Sequence, residues 1–154
     1  MNREMGNLVE LTLAGNVDLV DISHCGACVN LRTLDLGDTA VADISVLSSM
    51  PKLEELYLMD TEVVDFSPIR HCPRLRKLYL TGTAVKNLAF LDGLTDIEEL
   101  SLSDTGVTSA DLPHLMHLIK LEKLYIQNLD LDRSAVSRLR KLPSLVELCV
   151  DEDD

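Results

Sequence analysis

Tryptophan is absent from this 154-residue chain, and other aromatic residues are few: two Phe and three Tyr. A core without aromatic bulk must be assembled from aliphatic side chains, leucine above all. No run approaches the roughly 20 apolar residues of a membrane-spanning helix, and the opening MNREMGN lacks the apolar stretch of a secretory signal. The expectation is an intracellular protein, cytoplasmic or nuclear, that is not secreted and has no membrane contact. Cysteines number only four (Cys25, Cys28, Cys72, Cys149) and no Asn-x-Ser/Thr sequon occurs, which argues against a disulfide-capped extracellular domain. Basic residues are outnumbered, 14 Lys and Arg against 26 Asp and Glu. The formal charge of -12 disfavours a nucleic-acid partner, whose backbone is bound by displacing counterions with Lys and Arg. The seven glycines are single residues and form no phosphate-cradling loop.

What is present is a repeat. Units begin near Leu8, Leu31, Leu53, Leu75, Ile97, Leu121 and Leu145, at spacings of 22 to 24 residues. Their first segments read LVELTL, LRTLDL, LEELYL, LRKLYL, IEELSL, LEKLYI and LVELCV, the alternation of a strand with one buried face. Later apolar positions, such as Val41, Ile44, Leu47 and Met50, turn the chain back over the same core. One unit cannot bury its own Leu face, but a stack can.

The L-x-x-L-x-L segments resemble the leucine-rich-repeat family over essentially the whole chain. The 22-residue units are similar to the short class of phosphatase-regulatory repeats and internalins. Units five and six, with SDTGVTSADLPHLMHLIK, are more like a longer class with a helical back. The resemblance implies an α/β solenoid: a right-handed superhelix with a concave parallel sheet of about seven strands and a convex side of 3₁₀ turns and short helices. Residues 1–154 would form one such domain. The family's Asn after the strand is replaced by Thr39, Thr61, Thr83 and Thr105, so its side-chain ladder is expected to be weaker or rearranged.

Local signals refine this picture. Asp21, Asp43, Asp65 and Asn87 stand where single 3₁₀ turns should start, as caps. Ser109 or Asp111 is expected to cap a turn with Pro113 early in it, and Ser134 a helix over residues 135–141. Packed helices need about 8–10 Å against about 4.8 Å for paired strands, so the longer units should curve the C-terminal end more strongly.

His24, Cys25 and Cys28 spell H-C-x-x-C, elsewhere a zinc half-site or redox pair. Register argues otherwise: Cys25 shares a column with Leu47, Ile69 and Leu91, and Cys28 with Met50, Cys72 and Leu94. Both read as small hydrophobes in the core. His71, His114 and His117 scatter over the convex side without an associated nucleophile. The chain is therefore expected to be no enzyme and to need no cofactor, metal or small-molecule substrate.

The strand columns are more informative. Residues before the second Leu are Glu10, Thr33, Glu55, Lys77, Glu99, Lys123 and Glu147, whose alternating sign from unit three onward suits cross-strand pairing. The next outward column is Thr12, Asp35, Tyr57, Tyr79, Ser101, Tyr125 and Cys149, and it holds every Tyr in the protein. Beside it run Gly37, Met59, Thr81, Ser103 and Gln127, then Asp38, Asp60, Asp104 and Asn128. An aromatic and Met centre with an acidic rim is expected to bind a protein partner bearing a basic and apolar surface. The candidate contact residues are Tyr57, Met59, Tyr79 and Tyr125, steered by Asp35, Asp38, Asp60 and Asp104. Two alternatives stand beside this adaptor reading. One is a segment of a larger assembly, since few residues flank the first and last units and Asp151 to Asp154 close the chain without a capping helix. The other, by family analogy, is a ubiquitin-ligase substrate receptor or phosphatase regulator.

Overall fold

The structure, a computed structural model, describes residues 4–151. Seven strands of three residues each follow one another: β1 (Glu10–Thr12), β2 (Thr33–Asp35), β3 (Glu55–Tyr57), β4 (Lys77–Tyr79), β5 (Glu99–Ser101), β6 (Lys123–Tyr125) and β7 (Glu147–Cys149). They form one open sheet in chain order, and every neighbouring pair is parallel. The middle Leu of each strand sits opposite the middle Leu of the next, so Leu34, Leu56, Leu78, Leu100 and Leu124 form an unbroken row that solvent does not reach. A one-residue slip would turn that row outward, which pins the register.

Between strands the chain returns through short 3₁₀ turns, Ser23–Ala27, Ser45–Ser49, Ser67–His71, Ala89–Leu91 and Ser109–His114, and once through an α-helix, α1 (Arg133–Leu139). The Asp and Asn residues ahead of the first four behave as expected. Asp21, Asp43, Asp65 and Asn87 accept the backbone N–H two residues on, at 2.7 to 2.9 Å. Two other caps differ. In the fifth turn Asp111 does take part in the cap, accepting at 3.1 Å the N–H of Thr108, which stands at the N-cap, while Pro113 lies near the end of the turn instead of early in it. Asp132, not Ser134, caps α1 by accepting the Ala135 N–H at 2.7 Å, so the helix begins two residues before the expected position. An ionised carboxylate is the stronger acceptor, and from Asp132 it meets the orphan donor of the first turn.

The substituted threonines rearrange the expected ladder. Thr39, Thr61, Thr83 and Thr105 each donate the hydroxyl to the carbonyl three residues back, Leu36, Leu58, Leu80 and Leu102, at 2.6 to 2.8 Å. Each bond closes its own unit instead of bridging to a neighbour. The core is aliphatic, with Phe66 and Phe90 stacked at 5.9 Å near the back. Cys25, Cys28 and Cys72 lie in it as free thiols, and burial pushes the Cys72 thiol up to about 12. At the sheet's edges the packing opens: Leu11 and Leu148 are only partly buried, and Leu8 is 36% exposed. Of the closing acidic residues, 152–154 lie outside the described residues.

Candidate protein-binding face

The parallel register stacks the outward residues into columns. Tyr57 of β3 lies opposite Tyr79 of β4, and their rings stack with centroids 5.1 Å apart. Ser101 occupies the same place on β5, and its small side chain lets Tyr79 reach across to Tyr125 of β6 at 6.3 Å. Three tyrosines thus form one half-buried aromatic strip over four strands. Met59, two residues beyond Tyr57, stands in the next column, its methyl 3.5 Å from where a Cβ on Gly37 would stand.

Glutamates hold the strip in place. Glu55 receives the Tyr57 hydroxyl on one oxygen at 2.8 Å and Lys77 on the other at 3.2 Å. Glu99 does the same for Tyr79 at 2.9 Å and Lys123 at 3.4 Å. The charge column therefore pairs as its alternating sign suggested. Sequence reasoning missed that the same carboxylates aim the rings, although Glu two residues before Tyr57 and one strand over from Tyr79 is a visible signal. Burial, then the carboxylate contact, pushes both phenols well above their ordinary value, so they remain donors. Burial alone would raise Glu99, but the Tyr79 hydroxyl and Lys123 outweigh it and hold its pKa low.

The acidic rim has a backbone cause. Asp38, Asp60, Asp104 and Asn128 all take φ of 52 to 57°, and Gly15 and Gly82 occupy the same column at 75° and 70°. Asp, Asn and Gly are the residues that tolerate this left-handed region. The bend lets Gly15, Asp38, Asp60, Gly82 and Asp104 extend the ladder, each donating its N–H to the next unit's carbonyl at 2.8 to 3.1 Å. Asn128 donates instead to the Asp151 carboxylate at 2.9 Å. At Gly82 a side chain would also collide with the Asp60 carboxylate. Asp35 accepts the Gly37 N–H at 3.0 Å, while Asp38, Asp60 and Asp104 are exposed.

A seven-strand open parallel sheet, backed by 3₁₀ turns and carrying a buried Leu row through its five inner units, decides the architecture. The chain has the leucine-rich-repeat fold. No family model matches its sequence, and no curated protein does. Solved structures of leucine-rich-repeat proteins do. An internalin C2 of Listeria monocytogenes superposes with a TM-score of 0.84 at 25% identity, over 96% of this chain and 65% of that one. A leucine-rich-repeat protein of Leptospira interrogans gives 0.81 at 25% identity, over 97% of this chain and 38% of that one. A second Listeria internalin gives 0.77 at 22% identity, over 96% and 48%. The chain thus spans less than two thirds of the length of each.

Chemically, the face offers aromatic surface, hydroxyls and carboxylates. Among the described residues no group of three or more His, Cys, Asp or Glu is arranged to hold a metal ion. His114 and His117 are engaged on the convex side, both on Asp92, at 2.8 and 3.1 Å. The structure brings Tyr57, Met59, Tyr79, Tyr125 and the four aspartates to one side of the repeat sheet, as the register required.

Proposed function

We propose that this protein is a non-catalytic adaptor that binds a protein partner on its concave sheet. The observation that carries the reading is the continuous Tyr57–Tyr79–Tyr125 strip, whose neighbouring cations are already engaged. Lys77 and Lys123 are tied to Glu55 and Glu99, so the charge left around the strip is negative, Asp35, Asp38, Asp60 and Asp104 among it. Rigid, amphipathic tyrosine surface is the composition of an interface centre, and unpaired carboxylates around it favour Lys and Arg on the partner. The net charge of -12 supports steering of a basic surface over long range. Neighbours in the leucine-rich-repeat fold support the broad class of interaction module. The intracellular setting is proposed with it, on the strength of a chain whose thiols are unpaired and mostly buried.

The test is a pull-down from an extract of the source cell with wild type and Tyr57→Ala/Tyr79→Ala side by side, followed by titration of the purified captured protein. Binding weakened more than tenfold, with cooperative unfolding retained, is the expected result. Equal retention by both proteins would move the interface to the convex side or the end units.

A further inference from the structure

The aromatic column skips one strand. On β5, Ser101 stands where Tyr57, Tyr79 and Tyr125 stand elsewhere, and Ser103 is the next outward residue. Both serines are buried, 4% and 5% exposed, because their neighbours rise above them. The result is a hollow of about 310 Å³ on the concave face. Tyr79 and Thr81 line it from the β4 side, Tyr125 and Gln127 from the β6 side, and Asp104 completes the lining. The floor is set by hydrogen bonds: Thr81 and Ser101 share one at 2.6 Å, and Ser103 accepts the Gln127 N–H at 3.1 Å.

Charge at the hollow is one-sided. One oxygen of Asp104 takes the Asn128 amide at 2.8 Å; the other has no partner among the described residues. The lysines of the two flanking strands, Lys77 and Lys123, are engaged by Glu55 and Glu99. A cation seated here would lie beside the Tyr79 and Tyr125 rings, whose π-systems attract positive charge within about 6 Å, and near a carboxylate with one oxygen unpartnered among the described residues. A guanidinium suits the place better than an ammonium, because its flat, weakly hydrated group stacks on tyrosine while its fork of N–H donors reaches a carboxylate.

We propose that the hollow over β5 is a specificity notch for one arginine side chain of the protein partner, laid against Tyr79 and Tyr125 with its charge on Asp104. The proposal rests on the concave-face reading and names the chemistry that the partner must present at the fifth unit. Outside this notch the strip supplies contact area; within it a single residue type is selected.

The probe is Nα-acetyl-arginine methylamide, titrated into the full chain and followed by NMR, with the lysine and citrulline analogues as controls. With three Tyr, two Phe and no Trp, the ring resonances are few enough to assign singly. Saturable shifts are expected at the Tyr79 and Tyr125 rings and the Ser103 and Asp104 amides, with smaller ones at Tyr57. Asp104→Asn should weaken binding by about fivefold, the effect of about 1 kcal/mol, and citrulline should bind no better than that variant does. Asn is compatible with the backbone, since Asn128 holds the same φ of 56°. Silent Tyr79 and Tyr125 rings, citrulline as effective as arginine, or an indifferent Asp104→Asn would each overturn the notch. The two failures separate. A probe that ignores the hollow removes the notch and leaves the tyrosine strip to its own pull-down. A pull-down indifferent to Tyr57 and Tyr79 removes the strip, while the titration still reads the hollow directly.

Discussion

On the inward face of the strands one side chain repeats, Leu34, Leu56, Leu78, Leu100 and Leu124, each fully buried, while the outward face one residue along changes from Asp35 to Tyr57, Tyr79, Ser101 and Tyr125. The inward row is uniform because each leucine packs against the same leucine of the units on either side; a different volume would leave a gap or a clash in both. The outward row is under no such constraint, and variation there reports something other than folding. The inward column thus carries the fold, and the outward one is the column on which the proposed recognition rests.

The largest effect should come from breaking the uniform face. Leu78→Ala, in the middle of the sheet, is expected to cost about 2–5 kcal/mol, as deletion of a fully buried leucine does. Leu11→Ala, in the half-exposed first strand, should cost clearly less. Urea unfolding of the two variants measures the difference, and equal costs would mean that the stack does not share its burial as the structure has it. The next largest effect lies at the rim. Asp60→Ala places a Cβ-bearing residue without local hydrogen-bonding capacity at φ 52°, which should cost about 1–2 kcal/mol, whereas Asp60→Asn should be near neutral. Matching losses in both variants would show that the Asp60 charge, not its backbone, is what the fold requires.

These positions also show what the residues disclosed before any coordinates. The repeat length, the number of strands and the columns were legible because the period of two along each strand and of 22 to 24 along the chain leaves one register that turns the leucine row of every strand inward. The core placement of Cys25 and Cys28 followed from the same counting. The rim was read as charge alone, yet Gly15 and Gly82 alternating with Asp38, Asp60, Asp104 and Asn128 in one column is the signature of a left-handed bend. The caps at Thr108 and Asp132 escaped because several Ser, Thr and Asp residues stand close together there, and the choice depends on which donor is left orphaned by the turn. The pairing of Glu55 and Glu99 with tyrosine hydroxyls needed side-chain geometry, since columns give neighbours but not the direction in which a ring leans.

A smaller effect separates contact from scaffolding within the variable face. Tyr79→Phe keeps the ring and removes the bond to Glu99, which stays paired with Lys123. A loss of about 1 kcal/mol in stability is expected, the usual net worth of such a bond at a half-exposed site, with partner affinity nearly unchanged because the aromatic surface remains. A strong loss of affinity with unchanged stability would assign the hydroxyl to the partner instead of to Glu99.

The smallest effect concerns the back of the solenoid, where the same turn is built with and without a titratable group. Asp43 and Asp65 accept the Ser45 and Ser67 N–H, and those bonds hold both carboxyls below their ordinary value; Asn87 accepts the Ala89 N–H at 2.7 Å with no proton to gain. A carboxyl whose pKa is lower in the folded state stabilises the protein above its unfolded value of about 3.9, and that contribution fades as pH falls through the folded value. Asp43→Asn/Asp65→Asn should therefore match wild type near neutrality and lose less stability on acidification below about pH 4. Urea midpoints should coincide near neutrality and separate as pH falls below about 4, with the variant higher. Parallel curves would mean that the acid sensitivity of the fold resides elsewhere, with the Tyr79–Glu99–Lys123 group, whose carboxyl is also held low, as the next place to look.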